Sequence, residues 1–392
     1  MSLIVPNRRH ARLAMSRAGL VGLTLLAASA LLAVPRAASA GDIHPNAYSA
    51  SPTLSVHWRV RLNKLPIMAW KPHATAEPRL TRDGLGVIFA GTHGVAVLRV
   101  SDGAELWRFA TADAVEGHVA ERDGVIYAAA ADGQVFALDR GTGRSLWSST
   151  KLRAAVHAGV AVDARFLYVV ADPGTVHAIS RKTGKVVWRR SASTSREFLV
   201  EGHGSAMLHR NLVLAGTAAG RLLALSTRDG AIAWQALLGD RATTYTDVDS
   251  TPVRLGPSLV VASAHNGGVF ALSLSDGAIV WRKKLSGARQ PWVHGSSVYL
   301  IAGDGDLHAL EADGRRRWAR NVQTQPSGAM AFAGDLILIP TAGGLVLARQ
   351  KDGVSVARFD DGYGFSGAPL VVGNRIFTLS NAGVAYSLLL SR

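Results

Sequence analysis

The sequence repeats one short pattern in which a tryptophan follows a glycine by four residues. Stretches such as "GTGRSLWSS" (141–149) and "KTGKVVWRR" (182–190) carry it. The complete copies are Gly103/Trp107, Gly143/Trp147, Gly184/Trp188, Gly230/Trp234, Gly277/Trp281 and Gly314/Trp318. Trp58 fits as an earlier copy without its glycine turn, and Gly353 is followed by Ala357 in the same register. A period of roughly 40 residues indicates a repeat architecture, so each unit must bury its apolar face against its neighbours.

Each repeat contains four short apolar runs separated by Gly, Asp and Asn, which is typical of strands and hairpins. Sustained 3.6-residue periodicity is absent after the leader. The pattern therefore predicts an all-β fold, an eight-bladed β-propeller with four-stranded blades across residues 54–392. The last unit has only three runs, so we expect the segment 54–62, around Trp58, to complete it as the outermost strand and close the ring.

The repeated tryptophans are interpreted as packing residues and not as a ligand cage. Each lies on the outer strand of its blade, where a large flat ring can stack against the next blade. Alanines four residues after an inner turn glycine, such as Ala137 and Ala178, leave room for the ring. The structural set is Trp58, Trp107, Trp147, Trp188, Trp234, Trp281 and Trp318.

Residues 1–40 have the features of a signal peptide. Arginines precede an apolar run from Ala18 to Val34, and Ala38-Ser39-Ala40 offers a cleavage site. We therefore expect a periplasmic or secreted protein with a short extension at 41–53 and no membrane-spanning segment once the signal is cleaved. An uncleaved anchor is the weaker alternative, and the export route, Sec or twin-arginine, stays open.

Charge and cysteine content restrict the partners. The formal net charge is +15, which favours anionic partners, although a merely soluble basic surface explains it equally well. No nucleic-acid motif occurs, so no nucleic-acid partner is expected. The chain has no cysteine, which excludes disulfides and a lipoprotein anchor.

The stretch "ALDRGTGRSLW" (137–147) resembles the tryptophan-docking repeat of the pyrroloquinoline-quinone (PQQ) repeat family, and the resemblance covers essentially all of 54–392. Within that group, the length, blade number and export signal look like the BamB family of outer-membrane assembly scaffolds. Two features depart from it. The docking aspartate is kept only as Asp139, and there is no cysteine to lipidate, whereas BamB proteins are typically lipoproteins.

The same resemblance includes quinoprotein dehydrogenases, which implies a vicinal cysteine pair, a calcium ion held by carboxylate and amide oxygens, and an aspartate base. The cysteine pair cannot form here, and the sequence shows no Asp/Glu/Asn cluster that would cage a hard cation. Motifs for serine hydrolases, zinc proteases and phosphate loops are also missing. We therefore predict no enzyme activity, no catalytic residues, no PQQ or other cofactor and no assigned metal ligands.

Propeller topology places the blade-to-blade links and the turns between second and third strands on one face. The sequence predicts that histidines, carboxylates and aromatic residues gather there, with "VEGH" in both blade two and blade four. The candidate residues are His73, His93, Glu116, His118, His157, Glu201, His203, Tyr245, Asp249, His265, Trp292 and His294. They could hold a metal or small anionic ligand at the channel mouth, or each histidine could only stabilise its own turn.

The sequence thus favours an exported, non-catalytic binding or scaffold propeller, similar to BamB, with a protein partner in the cell envelope. A ligand-binding or sensory propeller that uses the histidine-rich face is the first alternative. A PQQ-dependent dehydrogenase is the second.

Overall fold

Strands of the chain pair with their sequence neighbours into separate four-stranded antiparallel sheets. The fold is that of a computed structural model, which describes residues 51–63, 75–172, 174–191, 204–239, 247–322 and 326–392. Within these ranges, eight sheets are present, and seven keep the order of the chain from the innermost to the outermost strand. Each sheet is one blade.

The first four blades use the strands from β2 to β17. They are β2 (Arg79–Leu80), β3 (Gly86–Gly91), β4 (Gly94–Arg99) and β5 (Glu105–Phe109); β6 (Ala120–Arg122), β7 (Val125–Ala129), β8 (Val135–Asp139) and β9 (Ser145–Ser148); β10 (Ala161–Val162), β11 (Phe166–Ala171), β12 (Thr175–Ser180) and β13 (Val186–Arg190); β14 (Met207–His209), β15 (Leu212–Gly216), β16 (Arg221–Ser226) and β17 (Ile232–Leu237).

The remaining four blades use β18 to β32 and the first strand. They are β18 (Val253–Leu255), β19 (Leu259–Ala264), β20 (Gly268–Ser273) and β21 (Ile279–Lys283); β22 (Trp292–His294), β23 (Ser297–Ile301), β24 (Asp306–Leu310) and β25 (Arg316–Asn321); β26 (Ala331–Ala333), β27 (Leu336–Thr341), β28 (Gly344–Arg349) and β29 (Ser355–Phe359); β30 (Leu370–Val372), β31 (Arg375–Leu379) and β32 (Val384–Ser391) with β1 (Thr53–Arg61).

The hydrophobic core lies between blades. The second and third strands are buried on both faces, and β3 and β4 are therefore almost continuously apolar. One cluster joins Ile88 and Val97 of blade one to Ile126 and Leu138 of blade two. Burial of a Leu or Ile side chain contributes about 1.5–3 kcal/mol, so each blade is stabilised mainly by its two neighbours.

The repeated tryptophans dock on the turn of the following blade. The indole of Trp107 donates a hydrogen bond from Nε1 to the carbonyl of Arg140 at 2.7 Å. Its ring lies against Gly143, where an added Cβ would be 2.4 Å from Trp107 Cε3. The same arrangement joins Trp58 to Gly103, Trp147 to Gly184, Trp188 to Gly230, Trp234 to Gly277, Trp281 to Gly314 and Trp318 to Gly353. Ala137 stands directly opposite Trp147 of its own blade, so the small residue lies beside a ring for which it was expected to leave room.

The topology explains why blade seven has Ala357 in place of a tryptophan. A tryptophan there would dock on a turn between the third and fourth strands of blade eight. That turn does not exist, because β32 and β1 come from opposite ends of the described chain. Ala357 instead joins an apolar cluster that includes Leu54 of β1.

The predicted fold is confirmed, including its closure by the N-terminal strand. β1 pairs antiparallel with β32 from Thr53↔Ser391 to Arg61↔Val384, which places it as the outermost strand of blade eight. The predicted signal peptide, 1–40, and most of the extension, 41–50, lie outside the described residues. The described part of the chain includes no helix with the length and hydrophobicity needed to cross a bilayer.

We predict that Gly143→Ala destabilises the propeller more than Gly124→Ala does. Both glycines have a left-handed φ, +70° and +76°, but a Cβ at Gly124 meets nothing within 4 Å. The extra cost at Gly143, from displacing the Trp107 ring, should be about 1–3 kcal/mol. Urea unfolding of the two variants measures the difference. Equal losses would show that docking on this turn adds no stability.

We also predict that a chain beginning after β1 loses far more stability than one beginning at Ser51. The shorter chain lacks Trp58, which is 7% exposed, and leaves β32 as an unpaired edge. The loss should be at least the roughly 3–5 kcal/mol of a core tryptophan deletion. Thermal unfolding at the same temperature and with the same cooperativity in both chains would contradict closure by β1.

Candidate functional site

The segments that lead into the first strands surround a cavity of about 290 Å³ at the centre of the ring. All eight blades contribute to its lining. Among the lining residues are Arg79, Glu116, His118, His157, Ser205 and Trp292. The structure thus places four of the predicted residues, Glu116, His118, His157 and Trp292, around one space. Glu116 and His118 precede β6 and lie in the link between blades one and two.

Glu116 and His157 join blade two to blade three. His157 Nδ1 lies 2.9 Å from Glu116 Oε2, and its Nε2 lies 3.6 Å from Asp172 Oδ2. The backbone carbonyl of Glu116 also accepts a hydrogen bond from Thr75 Oγ1 at 2.9 Å. The carboxylate therefore orients an imidazole across a blade boundary.

His118 is partly buried, and its ring packs against a glycine. A Cβ at Gly159 would be 2.2 Å from His118 Nδ1, so the small residue makes this approach possible. Burial, together with the positive charge of Arg79, lowers the pKa of His118 to about 3. The imidazole is therefore neutral near pH 7 and supplies no positive charge for an anion.

Arg79 is the cationic group of the cavity, and it pairs with Glu77. Its Nη2 donates to Glu77 Oε2 at 3.0 Å. Burial raises the pKa of Glu77, and the neighbouring guanidinium partly offsets that rise. The pair keeps the net charge of this wall close to zero.

Polar side chains that the sequence analysis missed form a belt of hydrogen bonds from blade to blade. Ser205 Oγ accepts from Gly159 N at 2.7 Å, and Thr251 Oγ1 accepts from Ser205 N at 2.8 Å. Gln290 Oε1 then accepts from Thr251 N at 2.7 Å. These residues stand about one repeat apart. A polar side chain two residues before the first strand of blades four, five and six is the signal that could have identified them.

Trp292 continues the belt into blade seven. Its Nε1 donates to the Gly328 carbonyl at 3.1 Å, and its ring belongs to the core between blades six and seven. This tryptophan, although outside the docking register, therefore also holds two blades together.

The remaining predicted residues lie elsewhere. His93 is packed within blade one, where burial lowers its pKa to about 4. Asp249 and His265 interact electrostatically in blade five, and burial raises the pKa of Asp249. His294 does not lie on the predicted face, because it ends β22 next to the turn into β23 and stacks on Phe332 at 4.5 Å. His73, Glu201, His203 and Tyr245 lie outside the described residues.

A second cavity, of about 500 Å³, lies along the outer strand of blade three and the link after β9. We call it the perimeter groove; its lining comprises Thr150, Lys151, Leu152, Arg153, His177, Val186, Val187, Trp188 and Arg189. The described residues that line it include no carboxylate, although Lys151 pairs with the nearby Asp132 at 2.6 Å. The basic stretches "TKLR" (150–153) and "WRR" (188–190) are its sequence signal.

Solved structures with the same fold include non-enzymes and enzymes. BamB from Moraxella catarrhalis is 21% identical, with 86% of this chain and 100% of that chain covered and a TM-score of 0.74. A quinohemoprotein alcohol dehydrogenase from Comamonas testosteroni is 15% identical over 86% of this chain and 76% of that chain, with a TM-score of 0.68. A europium-containing methanol dehydrogenase is 12% identical over 86% and 93%, with a TM-score of 0.70. At these identities the likeness shows the fold alone.

The central cavity does not suit a hard cation and a quinone. Such a cation requires several oxygen ligands that converge on it. The two carboxylates of the described lining, Glu77 and Glu116, instead contact Arg79 and His157.

Sequence comparison gives the family. No curated protein matches the chain. The family model described as outer membrane protein assembly factor BamB matches residues 91–313 and 303–388, which is well over half of the chain. The chain therefore belongs to the outer membrane protein assembly factor BamB family.

Proposed function

We propose that the chain is an exported scaffold propeller that works in the cell envelope by making protein–protein contacts and catalyses no reaction. Family membership and the predicted signal peptide support the location and the type of function. The polar groups of the central cavity support a structural role at the channel mouth, because Ser205, Thr251 and Gln290 hold blades together.

The perimeter groove is the observation that carries the proposal. Val186 and Val187 are 41% and 52% exposed on the outer strand of blade three, beside the exposed cation Arg189. Arg153 has a φ of +58°, a left-handed conformation that non-glycine residues seldom adopt and that costs about 1–3 kcal/mol. Backbone strain of this kind is concentrated at functional sites. Aliphatic and cationic side chains together fit a partner segment that is both apolar and acidic.

The outer strand of each blade is an edge strand, which gives such a segment a way to bind. The segment could add to the exposed edge of β13 through main-chain hydrogen bonds, while Val187 and Arg189 select its side chains. Other blades also expose an aliphatic side chain in front of the docking tryptophan, for example Leu146 and Val280. Blade three differs by combining it with a cavity and a carboxylate-free lining.

A ligand-binding or sensory propeller is the second candidate, and the central cavity favours it. A neutral ligand of modest size would contact Glu116, His118, His157 and Trp292 there. An anion held by a protonated His118 is disfavoured, because burial keeps this imidazole neutral.

We predict that a photo-crosslinking amino acid at Val187 captures an envelope protein, and that the same group at Val280 does not. Both positions are exposed aliphatic residues on outer strands, 52% and 56%, so they form a matched pair. Adding Arg189→Glu should lower the adduct yield at Val187 at least about fivefold, because like charges would face each other. Mass spectrometry identifies the adduct. The same adducts at both positions, or an unchanged yield with Arg189→Glu, would contradict the proposal.

We further predict that PQQ with calcium gives no dye-linked oxidation of alcohols or sugars and no rise in melting temperature. A ligand that binds the folded state stabilises it by about 2.7 kcal/mol at a hundredfold excess over its Kd, so thermal unfolding detects binding even without turnover. Oxidation well above the blank would overturn the scaffold assignment in favour of a quinoprotein enzyme.

A further inference from the structure

Two aspartates and a histidine converge at the turn between β23 and β24 in blade six. Asp304, Asp306 and His308 each offer a ligand atom, and these atoms lie within 4.8 Å of one another. These residues belong to the stretch "DGDLH" (304–308). Because successive side chains of a strand point to opposite faces, Asp306 and His308 lie on the same side of β24. None of these three residues lines the central cavity or the perimeter groove.

His308 provides an independent observation that points to a ligand. Its side chain is only 2% exposed, and neither ring nitrogen has a hydrogen-bond partner among the described residues. Its Nε2 is directed at the aspartates and lies 3.6 Å from Asp304 Oδ2, beyond hydrogen-bond distance. Buried polar groups without partners are rare in folded proteins, and a missing ion is one of their ordinary explanations.

The carboxylates are held in place while one oxygen of each stays available. Asp304 Oδ1 accepts from the backbone N of Asp306 at 2.9 Å, which fixes the turn. Asp306 Oδ1 accepts from Asn321 Nδ2 at 3.0 Å, across the ladder from β24 to β25. Neither of these two hydrogen bonds uses the second oxygen, Oδ2, of its carboxylate. Such outer contacts orient metal ligands in proteins.

Blade three contains a natural comparison. His177 occupies the position of His308 on β12 and is also buried, at 5% exposure. Pro173 and Thr175 stand where blade six has Asp304 and Asp306. Blade three therefore places a buried histidine at this position without the two carboxylates.

We propose that Asp304, Asp306 and His308 bind a divalent transition-metal ion of the zinc class. One imidazole with two carboxylates suits zinc, whereas calcium prefers six to eight oxygen ligands. Ligand atoms around tetrahedral zinc are about 3.4 Å apart, so small rotations of the two aspartates close the site. Three protein ligands leave a coordination position for water or for a side chain of a partner.

The test is metal titration of the chelator-treated full chain, with Zn²⁺ followed by calorimetry and Co²⁺ followed by its visible absorption bands. The wild type should bind one Zn²⁺ more tightly than any further equivalents. His308→Gln and Asp306→Asn should each weaken that site at least about tenfold. His177→Gln is the matched control and should leave the affinity unchanged.

Asp306→Asn protects the test against misfolding, because Asp306 is only partly buried and the amide is isosteric. Equal Zn²⁺ affinity in the wild type and Asp306→Asn would overturn the proposal, as would an equal loss in His177→Gln. Displacement of Zn²⁺ by an equimolar amount of Ca²⁺ would overturn the choice of metal class. Zn²⁺ binding is tested independently of the scaffold function, because Asp304, Asp306 and His308 do not line the perimeter groove; His177 does line it, but its variant is used only to measure Zn²⁺ affinity.

Discussion

The docking of an indole on the glycine turn of the next blade is the interaction on which the ring depends. Each blade buries its two middle strands only against its neighbours, so the blades need a fixed relative orientation before their cores can pack. The docked indole fixes this orientation by two contacts. Its flat face packs against the turn glycine, which has no Cβ, and its Nε1 donates a hydrogen bond to the next blade, as Trp147 does to the Arg181 carbonyl at 2.8 Å. Near the central channel of the propeller, hydrogen bonds through Ser205, Thr251 and Gln290 also connect neighbouring blades.

Much of this architecture could be predicted from the sequence because the repeat depends on glycine and tryptophan, which each have a specific structural role. A glycine turn and a tryptophan at fixed spacing give the blade number, and the missing fourth strand of the last blade predicts its closure by the N-terminal segment. The residue that faces each tryptophan within its blade could not be predicted from this spacing. Periodicity shows that Ala137 is small and Trp147 is large, but only the strand register shows that they face each other within one blade.

The central site was predicted less completely. The link position of Glu116, His118 and His157 brings them to the channel, as propeller topology requires. Which groups pair depends on side-chain direction, and the structure pairs Glu116 with His157 and packs His118 against Gly159. His294 was expected on the face of the links, but β22 is only three residues long, so its last residue already lies next to the turn on the opposite face. The aspartates of blade six were interpreted only as turn residues, since their relation to a buried histidine is not visible in sequence.

Closure of the ring by β1 and β32 has a consequence for how the chain folds. Strand β1 has to remain unpaired until β32 is available, since Thr53 pairs with Ser391. Until then, seven blades can form from contacts between near neighbours in sequence, whereas the eighth requires a loop that spans the whole domain. The apolar flank of an unfinished ring is therefore exposed until β1 and β32 meet, which makes this junction the folding step most vulnerable to aggregation.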